Sequence, residues 1–402
     1  MLQRHQIVSI FVARIFLFLP FMTVAGCIPV LIEEWNIGAA RVGTIVSGFF
    51  FAYAVSLMFF SWLGDIIGAK RAVQISAVLA ALVSAAFGIF AEDFLTSLIL
   101  YSLVGLSQGG VYTPLIALFR ETVATERLGS AIGWLISSTS IGFAASIGLT
   151  GLSIGIEGWR LAFLITGLAP VAGCVFLLFA IKDLPNNIHP KTEHSGLWRQ
   201  LRTNRPARTL LWGYSAHNWE LIGMWSWAPT LIAASFVLSG KTTSEAAQWS
   251  AQFVLLLHLG GSVAASSMGI LSDRVGRRTV LIWAAAASAV LSFVVGWLVA
   301  FPPTLVAAVV IVYAFFAIGD SPVLSTALAE EVEPASLGTV LAARSLIGFI
   351  VAAIAPIVVG WVIDALRAAN ASESVVWGAA FATLGLGGAL AVWYACALPK
   401  RG

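Results

Sequence analysis

The chain has 402 residues, of which 59% are hydrophobic and only 10% charged, with a formal net charge of +3. Soluble domains carry about 25% charged residues, so composition and a mean hydropathy of +0.94 exclude a water-soluble fold. Apolar runs of about 20 residues recur along the chain, enough for helices to cross a ~30 Å hydrocarbon core. The short alternating segments of a membrane barrel are absent, and the expected class is an all-α membrane protein.

Twelve spans are predicted in chain order. The first six run over about 6–32, 41–62, 72–91, 94–119, 129–154 and 160–181. A polar stretch at 182–208 follows, with Lys182, Lys191, Arg199, Arg202, Arg205 and Arg208. The second six run over about 209–238, 248–268, 279–301, 304–329, 338–362 and 375–398. The expected domains are therefore 1–181 and 209–402, two six-helix bundles joined by a linker at 182–208. Cys27, Cys174 and Cys396 fall inside predicted spans with no metal-ligand spacing, and read as packing residues. The first apolar segment is longer than a signal-peptide core and carries Arg14, so no cleavable signal is expected.

The basic residues set the orientation. With both termini inside, Arg4, Lys70, Arg71, Arg120, Arg127, the six linker cations, Arg274, Arg277, Arg278, Lys400 and Arg401 face the cytoplasm. Only Arg41, Arg160, Lys241 and Arg367 then face out. Cytoplasmic loops carry the excess of Lys and Arg, so a bacterial inner-membrane protein with both termini cytoplasmic is predicted. That pattern, rather than a nucleic-acid partner, explains the basic pI near 8.9.

The two halves repeat one another. Gly64-Asp65-Ile66-Ile67-Gly68-Ala69-Lys70-Arg71 follows span 2, and Ser272-Asp273-Arg274-Val275-Gly276-Arg277-Arg278 follows span 8. Asp65 and Asp273 share their offset with Thr113-Pro114 and Ser321-Pro322, while Leu128-Gly129 and Leu337-Gly338 slip by one residue. Parallel six-helix repeats are a transporter architecture, with substrate bound between the halves near the midplane.

The segment Gly269-Ile270-Leu271-Ser272-Asp273-Arg274-Val275-Gly276-Arg277-Arg278 resembles the cytoplasmic loop signature of the major facilitator superfamily at each defining position. The first copy is degenerate, with Ser61, Ile66 and Ala69 at three of those positions. Gly158-Trp159-Arg160 before span 6 is also similar to that family. The resemblance implies the superfamily's fold and alternating access. It also implies a conformational latch, whose gating residues would be Asp65, Gly68, Arg71, Asp273, Arg274, Gly276 and Arg277. The competing reading of these loops is a purely topological basic anchor. Helix 4 lacks the arginine of many drug antiporters and helix 5 lacks their Gly-Pro motif. The arginines and asparagine motifs of nitrate carriers are missing too.

An ionisable group inside hydrocarbon costs at least about 2.5 kcal/mol and is a functional candidate by default. Six stand out: Arg14, His217, Glu220, His258, Asp320 and Arg344. Arg14, in a helix that lines the cavity in the family, suits an oxyanion that its fork can bind bidentately; a structural ion pair is the alternative. His217 and Glu220 stand at i and i+3 on one helix face and suit a proton-coupled step; a simple hydrogen-bonded pair is the alternative. Asp320 is expected to pair with Arg344, either as a structural or gating pair or in a substrate or proton role. Gln108 and Tyr112 are candidate cavity groups, and Trp225 and Trp227 candidate interfacial aromatics. His258 is open between packing and site.

The expected function is thus proton-coupled transport of a small polar solute, an organic anion first, by symport. Substrate binding is expected at Arg14, Gln108, Tyr112, His217, Glu220 and Asp320, and proton coupling at Glu220, His217 and Asp320. The rivals are an exporter of drugs or metabolites, a carrier of cationic solutes, and a sensor or assembly factor that kept the fold. No enzyme motif, cofactor or metal site is expected. The expected partners are a small-molecule substrate, protons and lipid, with no nucleic acid and a monomeric chain.

Overall fold

The structure is a computed structural model describing residues 2–188 and 202–399. The linker cations Lys191 and Arg199, and Lys400 and Arg401, lie outside the described residues. Among the described residues, twelve helices are long and apolar enough to cross a membrane. They are α1 Arg4–Glu34, α2 Ala39–Ile67, α3 Ala69–Phe90, α4 Phe94–Thr122, α5 Arg127–Glu157 and α6 Trp159–Ile181. The second set is α7 Arg205–Leu238, α8 Thr243–Val275, α9 Arg277–Leu298, α10 Pro303–Glu331, α11 Thr339–Ala368 and α12 Glu373–Cys396. Every predicted span has its helix.

Several helices outrun their apolar stretch because polar caps carry them on. Helix α8 starts at a capping box, in which Glu245 N–H donates to Thr242 Oγ1 at 3.3 Å and Thr242 N–H donates to Glu245 Oε2 at 3.0 Å. It stops at Gly276, whose φ of 90° is matched by 91° at Gly68 after α2. That left-handed backbone favours glycine, so the repeated loops share a conformation as well as a sequence.

Two spans of the first half are broken where a proline removes a donor and crowds the preceding turn. Helix α1 opens at Leu19–Met22 around Pro20, and α4 at Gln108–Tyr112 before Pro114. Hydrocarbon offers no water to the freed backbone groups, and side chains take its place. The Tyr101 hydroxyl reaches the carbonyls of Pro20 and Phe21 at 3.0 and 2.7 Å, and Gln108 Nε2 donates to Leu17 O at 2.9 Å. In α4, Gly109 N–H donates to Ser56 Oγ at 2.8 Å and Gly110 N–H to Ser76 Oγ at 3.1 Å. The same hydroxyls donate onward to the carbonyls of Leu106 and Ser107. Pro322, the repeat partner of Pro114, leaves α10 continuous.

The apolar core locates the opening between the halves. At the end of the molecule away from the linker, one cluster joins the halves through Phe21, Tyr53 and Phe143 on one side and Leu221, Trp227 and Leu257 on the other. At the linker end the core divides into a cluster around Val73, Leu115 and Leu177 and another around Leu281, Leu328 and Val340. The halves therefore part towards the linker and close at the far end. The far-end closure runs along α5 against α8 and along α2 against α11.

A carboxylate fastens the second of these seams. Asp364 of α11 accepts from Ala39 N–H at 2.8 Å and Ala40 N–H at 2.9 Å, the open N-terminus of α2. Losing such a cap costs about 1 kcal/mol, and a coupling of that size moves a two-state ratio about fivefold. Asp364→Ala is expected to widen the distribution of distances between spin labels at Glu34 and Ala369. An unchanged distribution would show that the cap does not hold the seam.

Candidate functional site

Arg14, Arg344, Tyr112, Tyr214 and Asp320 share one depth. Arg14 lies ten residues into α1 from Arg4, and Arg344 ten residues beyond Pro334, where the helical segment that runs into α11 begins. At 1.5 Å per residue both are about 15 Å in, halfway across a ~30 Å core.

Arg14 is wholly buried. Its guanidinium donates to Leu135 O and, at 2.9 Å, to Thr139 Oγ1, both on α5. It lies 4.9 Å from the ring of Phe18 and 5.7 Å from that of Tyr112. Its Nε has no partner. Among the described residues no carboxylate comes within ion-pair distance of it.

Arg344 corrects an expectation, because it does not pair with Asp320. Its guanidinium lies 4.0 Å from the centre of the Tyr214 ring, and its Nη1 donates to Ser325 Oγ at 2.9 Å. Its Nε is buried without a partner. Asp320 has turned to α7 instead, where its Oδ1 lies 2.8 Å from His217 Nδ1. The approach is close but poorly aligned, since the oxygen still lacks a proper hydrogen bond. His217 Nε2 lies 2.7 Å from Ser321 Oγ. The sequence could not settle this choice, because two possible donors to one carboxylate, Arg344 and His217, sit at compatible depths and packing decides between them.

The expected pairing of His217 with Glu220 is also corrected. One helix turn separates them, yet His217 faces α10 while Glu220 faces α9 and α12. Ser288 Oγ donates to Glu220 Oε2 at 3.1 Å, and a Cβ at Gly388 would lie 2.7 Å from that oxygen. Beside it Tyr313 donates to Ser292 Oγ at 3.2 Å, and Ser292 donates to Phe381 O at 3.0 Å. Glu220 is 2% exposed with Oε1 unpartnered. It lies within the second half rather than on the cleft.

The remaining candidates sort by contact. Gln108 is buried, and its amide nitrogen serves the break in α1 rather than a cavity. Tyr112 is half-buried and lies within electrostatic reach of Arg14, Arg344 and Tyr214. Tyr53 of α2 reaches Arg14, Tyr112 and Tyr214 in the same way, and its ring meets Phe349 of α11 at 5.4 Å. Sequence reasoning missed Tyr53, Tyr214 and Asn218. The signal for the last two was available: they stand at i and i+4 on α7, facing Arg344 and Gly348 at i and i+4 on α11. A Cβ at Gly348 would meet Tyr214 at 2.6 Å and Asn218 Nδ2 at 2.8 Å.

His258, Phe143 and Trp225 form an aromatic roof over the closed side, with ring centroids 5.4 to 5.7 Å apart. Trp227 is not interfacial either, being fully buried with Nε1 donating to Pro356 O at 3.1 Å. Cys396 is exposed at the end of α12 rather than packed inside a span.

The gating candidates lie at the linker end. Asp273 lies 2.5 Å from Arg277, which also reaches Glu330 of α10 at 3.1 Å, all within the second half. In the first copy Asn186 fills the space over Gly68, accepting from Arg71 N–H at 3.2 Å and donating to Ile67 O at 2.8 Å. Asp65 and Arg274 are exposed. No titratable cluster among the described residues has metal-binding geometry.

Known proteins give the same picture. The probable sulfoacetate transporter of Cupriavidus necator is 22% identical over 69% of this chain, which spans 66% of that protein. The gentisate transporter of Corynebacterium glutamicum is 27% identical over 82% of this chain and 74% of its own. A bacterial homologue of the human lysosomal transporter Spinster, in an inward-facing and unoccupied conformation, superposes with a TM-score of 0.75. It is 15% identical and covers 98% of this chain and 94% of its own, which shows the fold. The family model described as Major Facilitator Superfamily matches residues 10–268, well over half of the sequence. With twelve spans in two six-helix bundles and the repeated loop, the chain belongs to the Major Facilitator Superfamily, a family of membrane transporters and not of enzymes.

Proposed function

We propose that this transporter carries a small organic anion across the bacterial inner membrane by proton-coupled alternating access, as a symporter and a monomer. The observation that carries the anion is Arg14, a permanently charged fork at mid-depth with no carboxylate within ion-pair distance among the described residues. Burying such a charge uncompensated costs several kcal/mol, and a carried oxyanion offsets that cost in each cycle. The relatives named for sulfoacetate and gentisate support the same substrate class.

Orientation follows from the basic residues, so the linker end faces the cytoplasm and the conformation described here is the inward-open one. Arg14 is covered by Tyr112 and Phe18 in this state, and a shift of Tyr112 gives substrate access to it. The proton is assigned to Glu220, with the separate His217–Asp320 pair as a second proton-coupling site. The support is that no cation stands within ion-pair distance of Glu220 among the described residues. A charged carboxylate there is costly, and a protonated one donates from Oε1 to the hydroxyl oxygen of Tyr313. A small cavity lined by Thr209, Gly213, Leu281, Asp320, Tyr394 and Leu398 lies within the second half beside Asp320. The loop pair Asp273–Arg277 is the gate, poised to contact the first half when the linker end closes.

The test is uptake of labelled gentisate and sulfoacetate into proteoliposomes under an imposed pH gradient. Arg14→Lys keeps the charge and loses the fork, so its half-saturating concentration is expected to rise about tenfold, the equivalent of 1.4 kcal/mol. Arg14→Ala is expected to lose uptake. Full activity in Arg14→Ala would remove the anion reading.

A further inference from the structure

We infer that the carried solute is a dianion, held at two points by Arg14 from the first half and Arg344 from the second. This rests on the anion reading above and goes beyond it. Two buried guanidiniums stand at the same depth on opposite sides of the parting between the halves. Neither meets a carboxylate among the described residues, and the Tyr112 hydroxyl is within electrostatic reach of both. Like charges brought together away from water repel, so a pair kept without an acid marks a place for negative charge from outside the chain. A monoanion would neutralise one of them and leave the other bare. A dianion neutralises both.

The hydrogen-bonding groups left over point the same way. Three buried donors here are unpartnered among the described residues, Arg14 Nε, Arg344 Nε and Asn218 Nδ2, while the unpartnered acceptors at this depth, Asp320 Oδ1 and Gln108 Oε1, belong to groups turned to His217 and to the break in α1. Each guanidinium keeps one face in use, Arg14 on Leu135 and Thr139, Arg344 on Ser325 and the Tyr214 ring, and leaves its Nε buried without a partner. Asn218 Nδ2 lies on the α7–α11 seam beside Gly348, one helix turn from Arg344. It supplies the second donor of the Arg344 subsite. Gly348 is what lets it approach, since any larger residue would fill the place of the Asn218 amide. The two subsites belong to different halves, so a solute with an anionic group at each end bridges them as they close around it. Arg344 thereby becomes a specificity-determining residue rather than a gate.

The test needs matched probes that differ by one charge. Linear diacids from malonate to adipate and the three benzenedicarboxylates are compared with their monomethyl esters at neutral pH. Binding is read by calorimetry on the purified full-length protein. At least one diacid is expected to bind about tenfold or more tightly than its own ester, a 1.4 kcal/mol difference for the second charge. Arg344→Gln is expected to bring that ratio to about twofold while the ester keeps its affinity, because one arginine still holds the remaining carboxylate. Arg14→Gln serves as the control, weakening both probes. Diacids and esters binding equally to the wild-type protein would overturn the dianion and leave the anion reading standing. A ratio that survives Arg344→Gln would overturn the assignment of the second anchor. No binding by any member of either series would overturn the anion reading itself.

Discussion

Glu220→Gln is expected to reduce gradient-driven accumulation of substrate to the level of empty liposomes while leaving exchange intact. Glutamine has the shape of the protonated acid and fits the site without repacking. Ser288 can still donate to its carbonyl oxygen at the position of Oε2, 3.1 Å away. Its amide replaces the carboxyl O–H beside Tyr313. What it cannot do is release a proton. Net uptake requires the carrier to return empty and deprotonated, whereas exchange of labelled for unlabelled solute needs only the loaded carrier to reorient. Paired measurements separate the two, uptake with an imposed pH gradient and counterflow without one. Accumulation at wild-type level would take the coupling role from Glu220 and leave it to the His217–Asp320 pair. Loss of both activities in a protein of normal thermal stability would give Glu220 a part in reorientation itself.

The placement of Glu220 shows where sequence reading stops. Its depth and its helix were legible, because 59% hydrophobic residues and a ~30 Å core leave few choices for a long apolar helix. The repeat at Asp65 and Asp273 and the basic loops were equally legible, since sequence offset and charge act locally. Side-chain direction was not. His217 and Glu220 share a helix face only to within the width of that face, and the packing of α9, α10 and α12 sends them to different neighbours. The same holds for Asp320, whose partner depends on the rotation of α11 relative to α7. Gln108 misled for another reason. A buried amide four residues from Tyr112 resembles a ligand group until the break at Pro20 is seen, where the freed Leu17 carbonyl needs a donor. Tyr214 and Asn218 were within reach, and only their facing partners on α11 reveal them.

The closed far end yields the other large effect. Where α2 meets α11, a Cβ on Gly43 would stand 2.4 Å from the carbonyl oxygen of Pro356 and 3.0 Å from its carbon. The obstacle is backbone, held in place by the Trp227 indole, which donates to that same oxygen at 3.1 Å. It cannot swing aside as the end of a side chain would. Gly43→Ala is therefore expected to penalise this conformation and spare the alternative in which the far end parts. Overpacking of a tight contact costs about 1–3 kcal/mol, which shifts the ratio of two conformers by about 5–150-fold. Spin labels at Glu34 and Ala369 are expected to report a longer distance in the variant. Net uptake is expected to fall in proportion to the lost inward-open population, with substrate affinity from the far side unchanged or improved. The direction of the shift is what identifies the seam as part of the cycle. A variant that transports normally with an unchanged label distance would mean that the seam has room to give. A variant that fails to fold would be replaced by Gly360→Ala, which meets Ala39 O and Ala40 Cα at 2.7 Å from the opposite side of the same contact. That second variant is expected to move the label distance in the same direction, because both methyl groups push apart the same two backbones.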